Sequence, residues 1–225
     1  MNTDTRLSLI NAASKFYQQG WMAGTAGNLS AKTGDGSFWI TASGRQKGQL
    51  SIEDFIRIAS DGTVLEKPNP KLRPSAEISI HQVIYSLFPD AQACYHVHSI
   101  EANLVSRFTE GSSLSLPPLE MLKGIGMWEE NPQVAIPVFA NHLEVSRIAS
   151  EIHDRFKAEP PTVNVLLIRD HGVTVWATSA EAAQNYVEIA EYIFRYMVAA
   201  YTVGIFEPWE KNSDTLLRKW RVLRG

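Results

Sequence analysis

The chain has 225 residues, of which 44% are hydrophobic and 20% charged, and its formal net charge is −3. These values are close to those of average globular proteins, so they predict a single domain over residues 1–225 with a substantial core. The small negative charge and the lack of a basic cluster exclude a general electrostatic case for binding nucleic acid.

Cysteine content and hydropathy predict the cellular compartment. Cys94 is the only cysteine, so an internal disulfide is impossible and a reducing environment suits the chain. The first residues lack the basic and apolar regions of a signal peptide, and no apolar run reaches the roughly 20 residues of a membrane span. We therefore expect a soluble cytoplasmic protein that has no membrane partner.

The N-terminal half predicts a helix, a glycine-containing loop, a strand, a hairpin and a second helix. In chain order these segments cover residues 5–19, 21–30, 37–42, 55–65 and 75–87. Apolar residues recur at helical spacing in the first and last segments, whereas they alternate in the strand. Ser75 is the predicted N-cap of the second helix, because its hydroxyl can accept a hydrogen bond from a free backbone N–H.

The C-terminal half mixes strands and helices in the same way. In chain order it predicts a strand, a short helix, a strand, a helix, two strands joined by a tight turn, and a long helix (residues 91–98, 99–107, 134–138, 142–156, 163–168, 173–177 and 179–203). Helices interspersed with hairpins predict a three-layer α/β/α fold around a mainly antiparallel sheet. The sequence predicts no role for the tail, residues 206–225.

A pair of histidines at the end of a predicted strand is the clearest chemical signal. Successive side chains of a strand point to opposite faces, so His96 and His98 lie on the same face. Imidazole is a common zinc ligand, and a catalytic zinc usually has three protein ligands and one open position. His171, in a turn at the end of another core strand, is the candidate third ligand, although a lone turn histidine is more often an ordinary polar residue.

The remaining histidines and several loops have weaker signals. His81, His142 and His153 are interpreted as surface or helix-face residues. Backbone N–H groups in glycine-rich loops and at a helix N-terminus suit a phosphate, and a nearby lysine can neutralise its charge. The alternatives are ordinary loops, a solvated lysine and, for the cysteine, a buried inert thiol. The candidate substrate- or phosphate-binding residues are Gly27, Asn28, Ser43, Gly44, Ser75, Lys47 and Cys94.

Two carboxylates are candidates for acid–base catalysis. Glu120 lies between Leu119 and Met121, and apolar surroundings would raise its pKa toward neutrality. The alternative is an exposed side chain on a half-buried strand. Glu77 lies in the first turn of a predicted helix, where an acidic residue is favoured for structural reasons alone.

Several short motifs occur in the order and approximate spacing of the class II aldolase/adducin family, which the chain resembles from about residue 7 to residue 204. They are Gly27-Asn28-Leu29-Ser30, Thr41-Ala42-Ser43-Gly44, Pro74-Ser75-Ala76-Glu77, His96-Val97-His98 and His171-Gly172. The resemblance implies the α/β/α fold, a homotetramer, one zinc ion per subunit on the three histidines, and a phosphate pocket formed by the two loops with Ser75.

The segment Leu119-Glu120-Met121-Leu122-Lys123-Gly124 further resembles the dehydratase branch of that family. This resemblance implies dehydration of a phosphorylated ketose, with Glu120 as the acid–base residue. The aldolases of the family have a Ser-Ser-Glu segment where this chain has Ser75-Ala76-Glu77, and the missing hydroxyl counts against the aldolase interpretation. The acid–base carboxylate of the dehydratases matches Glu120, which favours Glu120 over Glu77. The alternatives are a sugar-phosphate aldolase or 4-epimerase, and an adducin-like interaction module without catalysis.

Overall fold

A mixed β-sheet runs through the centre of the molecule. The computed structural model describes residues 4–205, so the tail predicted at residues 206–225 lies outside the described residues. The strands are β1 (Asn28–Lys32), β2 (Phe38–Thr41), β3 (Phe55–Ile58), β4 (Val64–Glu66), β5 (Ala93–Val97), β6 (Ser113–Ser115), β7 (Ala135–Phe139), β8 (Val165–Ile168) and β9 (Gly172–Ala177). Their order in the sheet is β4-β3-β2-β1-β5-β9-β8-β7-β6, and β7–β8 is the one parallel pair among them.

Helices cover both faces of this sheet. They are α1 (Thr5–Gln18), α2 (Ile78–Leu87), α3 (Ile100–Val105), α4 (Val145–Ala158) and α5 (Ala180–Thr202), with short 3-10 helices at Lys47–Gln49, Ile52–Asp54 and Glu120–Ile125. One hydrophobic core joins the sheet to α1, α3 and α5, and a second joins it to α2 and α4. The predicted three-layer α/β/α fold with a mainly antiparallel sheet is confirmed.

Alternation along β5 divides its side chains between the two cores. Tyr95 and Val97 belong to the core under α1, α3 and α5, whereas Cys94 belongs to the core under α2 and α4. His96 shares the face of Cys94 and is almost fully buried. The histidine strand therefore turns its first imidazole toward the α2 layer.

Two predicted boundaries are wrong. Residues 28–32 were expected to belong partly to a loop, but they form β1. The prediction failed because Asn28 and Ser30 are buried although they are polar, so the sequence lacks the usual alternation of a strand. Helix α2 begins at Ile78 with Glu77 in the cap position, and Ser75 instead accepts a 3.2 Å hydrogen bond from the Glu77 backbone N–H. Within residues 4–205, no helix combines the length and the apolar character needed to cross a bilayer.

Candidate metal centre

Three histidines and one glutamate converge at one end of the central strands. One ligand atom from each of Glu77, His96, His98 and His171 lies within 4.8 Å of the others. His96 and His98 lie at the end of β5, His171 directly precedes β9, and Glu77 caps α2. Because β5 and β9 are antiparallel neighbours, the end of one strand meets the start of the other, and this brings distant histidines together.

Two glycines permit this close approach. A Cβ atom at Gly172 would lie 2.1 Å from the backbone oxygen of Val97, so only glycine lets β9 start against the end of β5. Gly27 has a φ of +72°, and a Cβ atom there would lie 2.7 Å from the backbone oxygen of His96. The glycine of the predicted phosphate loop is thus needed to seat that loop against the histidine strand.

The donor set fits a metal ion. Among the described residues, the buried Nε2 atoms of His96 and His98 have no hydrogen-bond partner. Glu77 Oε1 lies 2.8 Å from Nε2 of His171, 3.5 Å from Nε2 of His96 and 4.0 Å from Nε2 of His98. Three imidazoles and a carboxylate are a common donor set for zinc and related metals. The cluster is able to bind a metal.

Neighbouring groups orient these ligands. The Nδ1 atom of His96 lies 2.8 Å from Oγ1 of Thr174, its neighbour on β9, and this contact leaves Nε2 directed at the cluster. The other oxygen of Glu77, Oε2, accepts a hydrogen bond from Nδ2 of Asn28 on β1. Asn28 was predicted to contact substrate, and in the structure its side-chain amide donates a hydrogen bond to Glu77.

Burial sets the charge of the cluster. Loss of solvent lowers the pKa of His96 to about 4 and the pKa of His98 to about 3, so both are neutral at pH 7 and able to bind a metal. Burial alone would raise the pKa of Glu77, but the imidazoles, His96 foremost, outweigh it and hold the pKa of this carboxyl well below its usual range. Glu77 is therefore ionised at neutral pH.

The predicted phosphate-binding loops lie side by side. Lys47 is buried, and its Nζ donates hydrogen bonds to the backbone oxygens of Thr25, at 2.8 Å, and Arg45, at 2.9 Å. The backbone N–H of Ser43 donates to the oxygen of Arg73 at 2.9 Å, which links the second loop to the segment before Ser75. Lys47 thus joins the Gly27 loop to the Gly44 loop.

The predicted phosphate-binding residues differ in how far they are exposed to solvent. Loss of solvent lowers the pKa of Lys47 to about 8, against a contribution from Glu77 that favours the charged form. Gly44, with a φ of +71°, and Ser43 are exposed, while Ser75 is half-buried. Cys94 is fully buried and burial raises the pKa of its thiol, so it matches the inert-thiol interpretation.

Glu120 lies in surroundings different from those expected. Its side chain is 82% exposed, and its Oε1 accepts a 2.8 Å hydrogen bond from Lys123, so the predicted apolar environment is wrong. It belongs to the short 3-10 helix and is not one of the four clustered residues. Glu120 lines a cavity of about 350 Å³ with Lys123, Met127 and Trp128, and the Trp128 side chain is itself exposed.

Sequence reasoning missed two residues near the cluster. Glu77 was ranked below Glu120 as an acid–base candidate and was not expected among the metal ligands, yet its carboxylate lies among the three histidines. His81 was interpreted as a surface residue, but it is 0% exposed and its imidazole contacts Asn28 and Ser30. The available signal was their spacing, since positions 77 and 81 fall on the same face of a helix.

Comparison with known proteins agrees with this geometry. The family model described as class II aldolase and adducin N-terminal domain matches residues 8–198. A methylthioribulose-1-phosphate dehydratase from Microcystis aeruginosa is 66% identical over 201 residues, which cover 89% of this chain and 98% of the relative. A dehydratase of the same name from Leptospira biflexa is 44% identical over 190 residues, covering 81% of this chain and 90% of the relative.

Solved structures show the same fold. An L-fuculose 1-phosphate aldolase superposes with a TM-score of 0.75 at 22% identity, and the superposition covers 98% of each chain. YgbL from Escherichia coli superposes with a TM-score of 0.74 at 25% identity, covering 87% of this chain and 88% of that one. The family model and the two dehydratases show the family as well as the fold. The model matches residues 8–198, and the dehydratases are 66% and 44% identical over most of this chain. The chain belongs to the class II aldolase/adducin family.

Proposed function

We propose that this protein is a zinc-dependent hydro-lyase of methionine salvage, which dehydrates 5-methylthioribulose 1-phosphate to 2,3-diketo-5-methylthiopentyl 1-phosphate. The observation that carries the proposal is the 66% identity to the Microcystis dehydratase over nearly its whole length. The cluster of three histidines and Glu77 supports it, because an interaction module without catalysis has no need of three imidazoles around a carboxylate. A cytoplasmic location and a single domain over residues 1–225 remain predictions.

Zinc is the metal we propose for the cluster, held by His96, His98 and His171. When bound, it supplies a Lewis acid that polarises the ketose carbonyl and makes the proton on the neighbouring carbon more acidic. Thr174 would keep the His96 ring in its ligating orientation. Glu77 would hold negative charge beside the metal, with its Oε2 oxygen fixed by Asn28.

Glu120 is our proposed acid–base residue. The low pKa of Glu77 makes that carboxylate a weak base, whereas Glu120 is exposed and forms a surface ion pair with Lys123. Glu120 would take the proton from C3 and return it to the C4 hydroxyl, which leaves as water as the C4–oxygen bond breaks and a C3–C4 double bond forms. The resulting enol becomes the diketone.

The exposed position of Glu120 supports catalysis across a subunit boundary. We propose a homotetramer in which the Glu120 segment of one subunit closes the metal centre of a neighbour. Two inactive variants then complement each other when mixed: Glu120→Gln supplies intact metal centres and His98→Ala supplies intact Glu120. Reassembled mixtures should recover up to about a quarter of the wild-type activity, as expected for random pairing of subunits. Mixtures as inactive as their components would place Glu120 in its own subunit's site.

The remaining binding groups follow from the same arrangement. The loops joined by Lys47 would hold the phosphate near the metal centre, with the charge of Lys47 lowering the cost of bringing a dianion there. Met127 and Trp128, beside Glu120 in its cavity, would contact the methylthio group, because thioethers pack favourably against aromatic rings. Fixing both ends of the ketose would align C3 with the base.

Turnover of 5-methylthioribulose 1-phosphate tests the proposal. The purified protein should form the diketone, lose this activity with a chelator, and regain it with added zinc. Fuculose 1-phosphate and ribulose phosphates, assayed in parallel, should be neither cleaved nor epimerised. Cleavage or epimerisation of those sugars without dehydration would assign the protein to the aldolase or epimerase branch. Absence of bound metal and of all three activities would favour the adducin-like module.

A further inference from the structure

A buried row of polar side chains leads away from the metal centre along helix α2. Glu77, His81 and Tyr85 follow each other at intervals of four residues, and across from them β1 presents Asn28 and Ser30 at an interval of two. Four helical residues rise about 6.0 Å and two strand residues about 6.8 Å, so the two rows can interleave. His81 and Ser30 are 0% exposed, and Asn28 is 3% exposed.

Each side chain of one row contacts the next side chain of the other. Asn28 Nδ2 donates to Oε2 of Glu77, and Oδ1 of the same amide contacts Nε2 of His81. Nδ1 of His81 lies 2.6 Å from Oγ of Ser30. That hydroxyl lies 2.7 Å from the hydroxyl of Tyr85, where the row ends.

The chemistry of the groups fixes the direction of every bond. An ionised Glu77 only accepts, so Asn28 turns its NH₂ group to Glu77 and its carbonyl oxygen to His81. His81 must then carry its proton on Nε2, which leaves Nδ1 as an acceptor. The Ser30 hydroxyl donates to Nδ1 at 2.6 Å in preference to the backbone oxygen of Cys94 at 3.3 Å, and Tyr85 in turn donates to Ser30. All the donors therefore point toward Glu77.

We propose that this one-directional chain of hydrogen bonds positions the Glu77 carboxylate in the metal centre, and that His81, held in its Nε2–H tautomer, is the key positioning residue. The inference rests on the proposed function for its purpose, since it gives Glu77 a fixed place beside the metal. Partners that orient metal-site ligands typically contribute 10–100-fold to metal affinity. Burial supports the proposal by lowering the pKa of His81 to about 4, which keeps the imidazole neutral.

The alternative is that His81 merely fills space under α2. Space filling alone would accept either tautomer and would tolerate an apolar side chain of similar volume. The two interpretations therefore differ in the location of one proton and in the effect of removing one donor. Both differences can be measured without substrate, so a wild-type protein that fails to dehydrate 5-methylthioribulose 1-phosphate would overturn the proposed function and leave this test intact.

The first arm measures the tautomer by ¹⁵N NMR of histidine-labelled, metal-free protein, with His81→Gln used to identify the His81 signals. We expect the Nε2–H form between pH 6 and 8, and an Nδ1–H form would overturn the proposal. The second arm measures zinc affinity alone. His81→Leu should bind zinc roughly 10–100-fold more weakly, whereas His81→Gln, which keeps an N–H donor at the position of Nε2, should recover most of the affinity.

Tyr85→Phe is the matched control at the far end of the chain. It removes the last hydroxyl and keeps the packing, so zinc affinity should change less than about threefold because Ser30 can still donate to His81. Wild-type zinc affinity in a folded His81→Leu variant would overturn the proposal. If His81→Leu does not fold, two measurements decide the question: the tautomer of His81 in the wild-type protein, and the zinc affinity of His81→Gln compared with that of the wild type.

Discussion

The two carboxylates of interest lie in regions built in opposite ways. Glu77 is largely enclosed where three central strands meet α2, with its side chain 13% exposed, and both of its oxygens have defined partners. Glu120 lies on a short 3-10 helix between β6 and β7, with its side chain 82% exposed and bound only to Lys123 among the described residues. The comparison teaches that one chain alone brings together the four residues able to bind a metal, whereas the role proposed for Glu120 requires a partner that closes against its segment.

Removing a metal ligand should give the largest effect. His98→Ala deletes one of three imidazoles, so both the zinc content and the dehydratase activity should fall, with activity reduced on the order of 1,000-fold or more because metal polarisation supplies several kcal/mol. Elemental analysis and a turnover assay measure the two quantities. His153→Ala, on the partly exposed surface of α4, is the control and should retain both. Full zinc occupancy in His98→Ala would refute the ligand assignment.

The two carboxylates should respond differently to the same change. Glu120→Gln should keep its zinc and its thermal midpoint while kcat falls about 10²–10⁴-fold, as expected for loss of a general base. Glu77→Gln should instead lower zinc affinity, because the amide presents an N–H group to partners that require an acceptor. Glu129→Gln, in the same cavity as Glu120, should be nearly neutral. A Glu120→Gln variant with near-normal kcat would show that Glu120 is not the base.

A pair of glycines tests the rigidity of the two regions. A new Cβ at Gly172 would meet the backbone of β5 at 2.1 Å, whereas at Gly124, in the Glu120 segment, it would meet the end of the flexible Ile189 side chain at 2.5 Å. Gly172→Ala should therefore lower the free energy of unfolding by about 2–4 kcal/mol, and Gly124→Ala by about 1 kcal/mol. Urea denaturation measures both, and equal losses would contradict the contrast.

Helix α5 packs near both regions and carries a buried acid, Glu191. Burial raises the pKa of Glu191 to about 8, above that of an unfolded glutamate, so the folded state binds the proton more tightly. Stability from this group is complete below about pH 4.3 and is lost as pH rises toward 8. Glu191→Gln should thus be more stable than wild type at pH 8, by at least about 1 kcal/mol, and nearly equal at pH 4. Parallel pH dependences would refute this assignment.

The sequence predicted the fold where side-chain patterns report burial directly. The alternation of helical and strand patterns gave the α/β/α layers, and the His96-Val97-His98 spacing placed two imidazoles on one side of β5. The family assignment from separate short motifs is confirmed. His171 was assigned to the same site mainly from the order of the family motifs. The pairing of β5 with β9, which brings His171 to the other two histidines, joins segments far apart in the sequence and is not visible in local patterns.

Other features were hidden because local patterns do not show what a buried polar residue contacts. Asn28 and Ser30 were predicted to lie in a loop because they are polar. They instead lie on the buried side of β1, where both contact His81 of α2. His81 read as a surface residue for the same reason. The apolar neighbours of Glu120 left open whether its carboxylate is buried or exposed. The short 3-10 helix directs Leu122 and Ile125 into the core and leaves Glu120 outside.

The interleaving of α2 with β1 also limits how far such a chain can extend. Four residues along the helix fall short of two residues along the strand by about 0.8 Å, which is the offset between the rows from Asn28 to Ser30. The long side chain of Tyr85 still reaches the Ser30 hydroxyl at 2.7 Å. Each further step would add about 0.8 Å to the offset, more than the few tenths of an ångström by which hydrogen-bond lengths vary. Inserting one residue into α2 before His81 would rotate His81 and Tyr85 by about 100° and uncouple both from β1, leaving only the contact between Asn28 and Glu77.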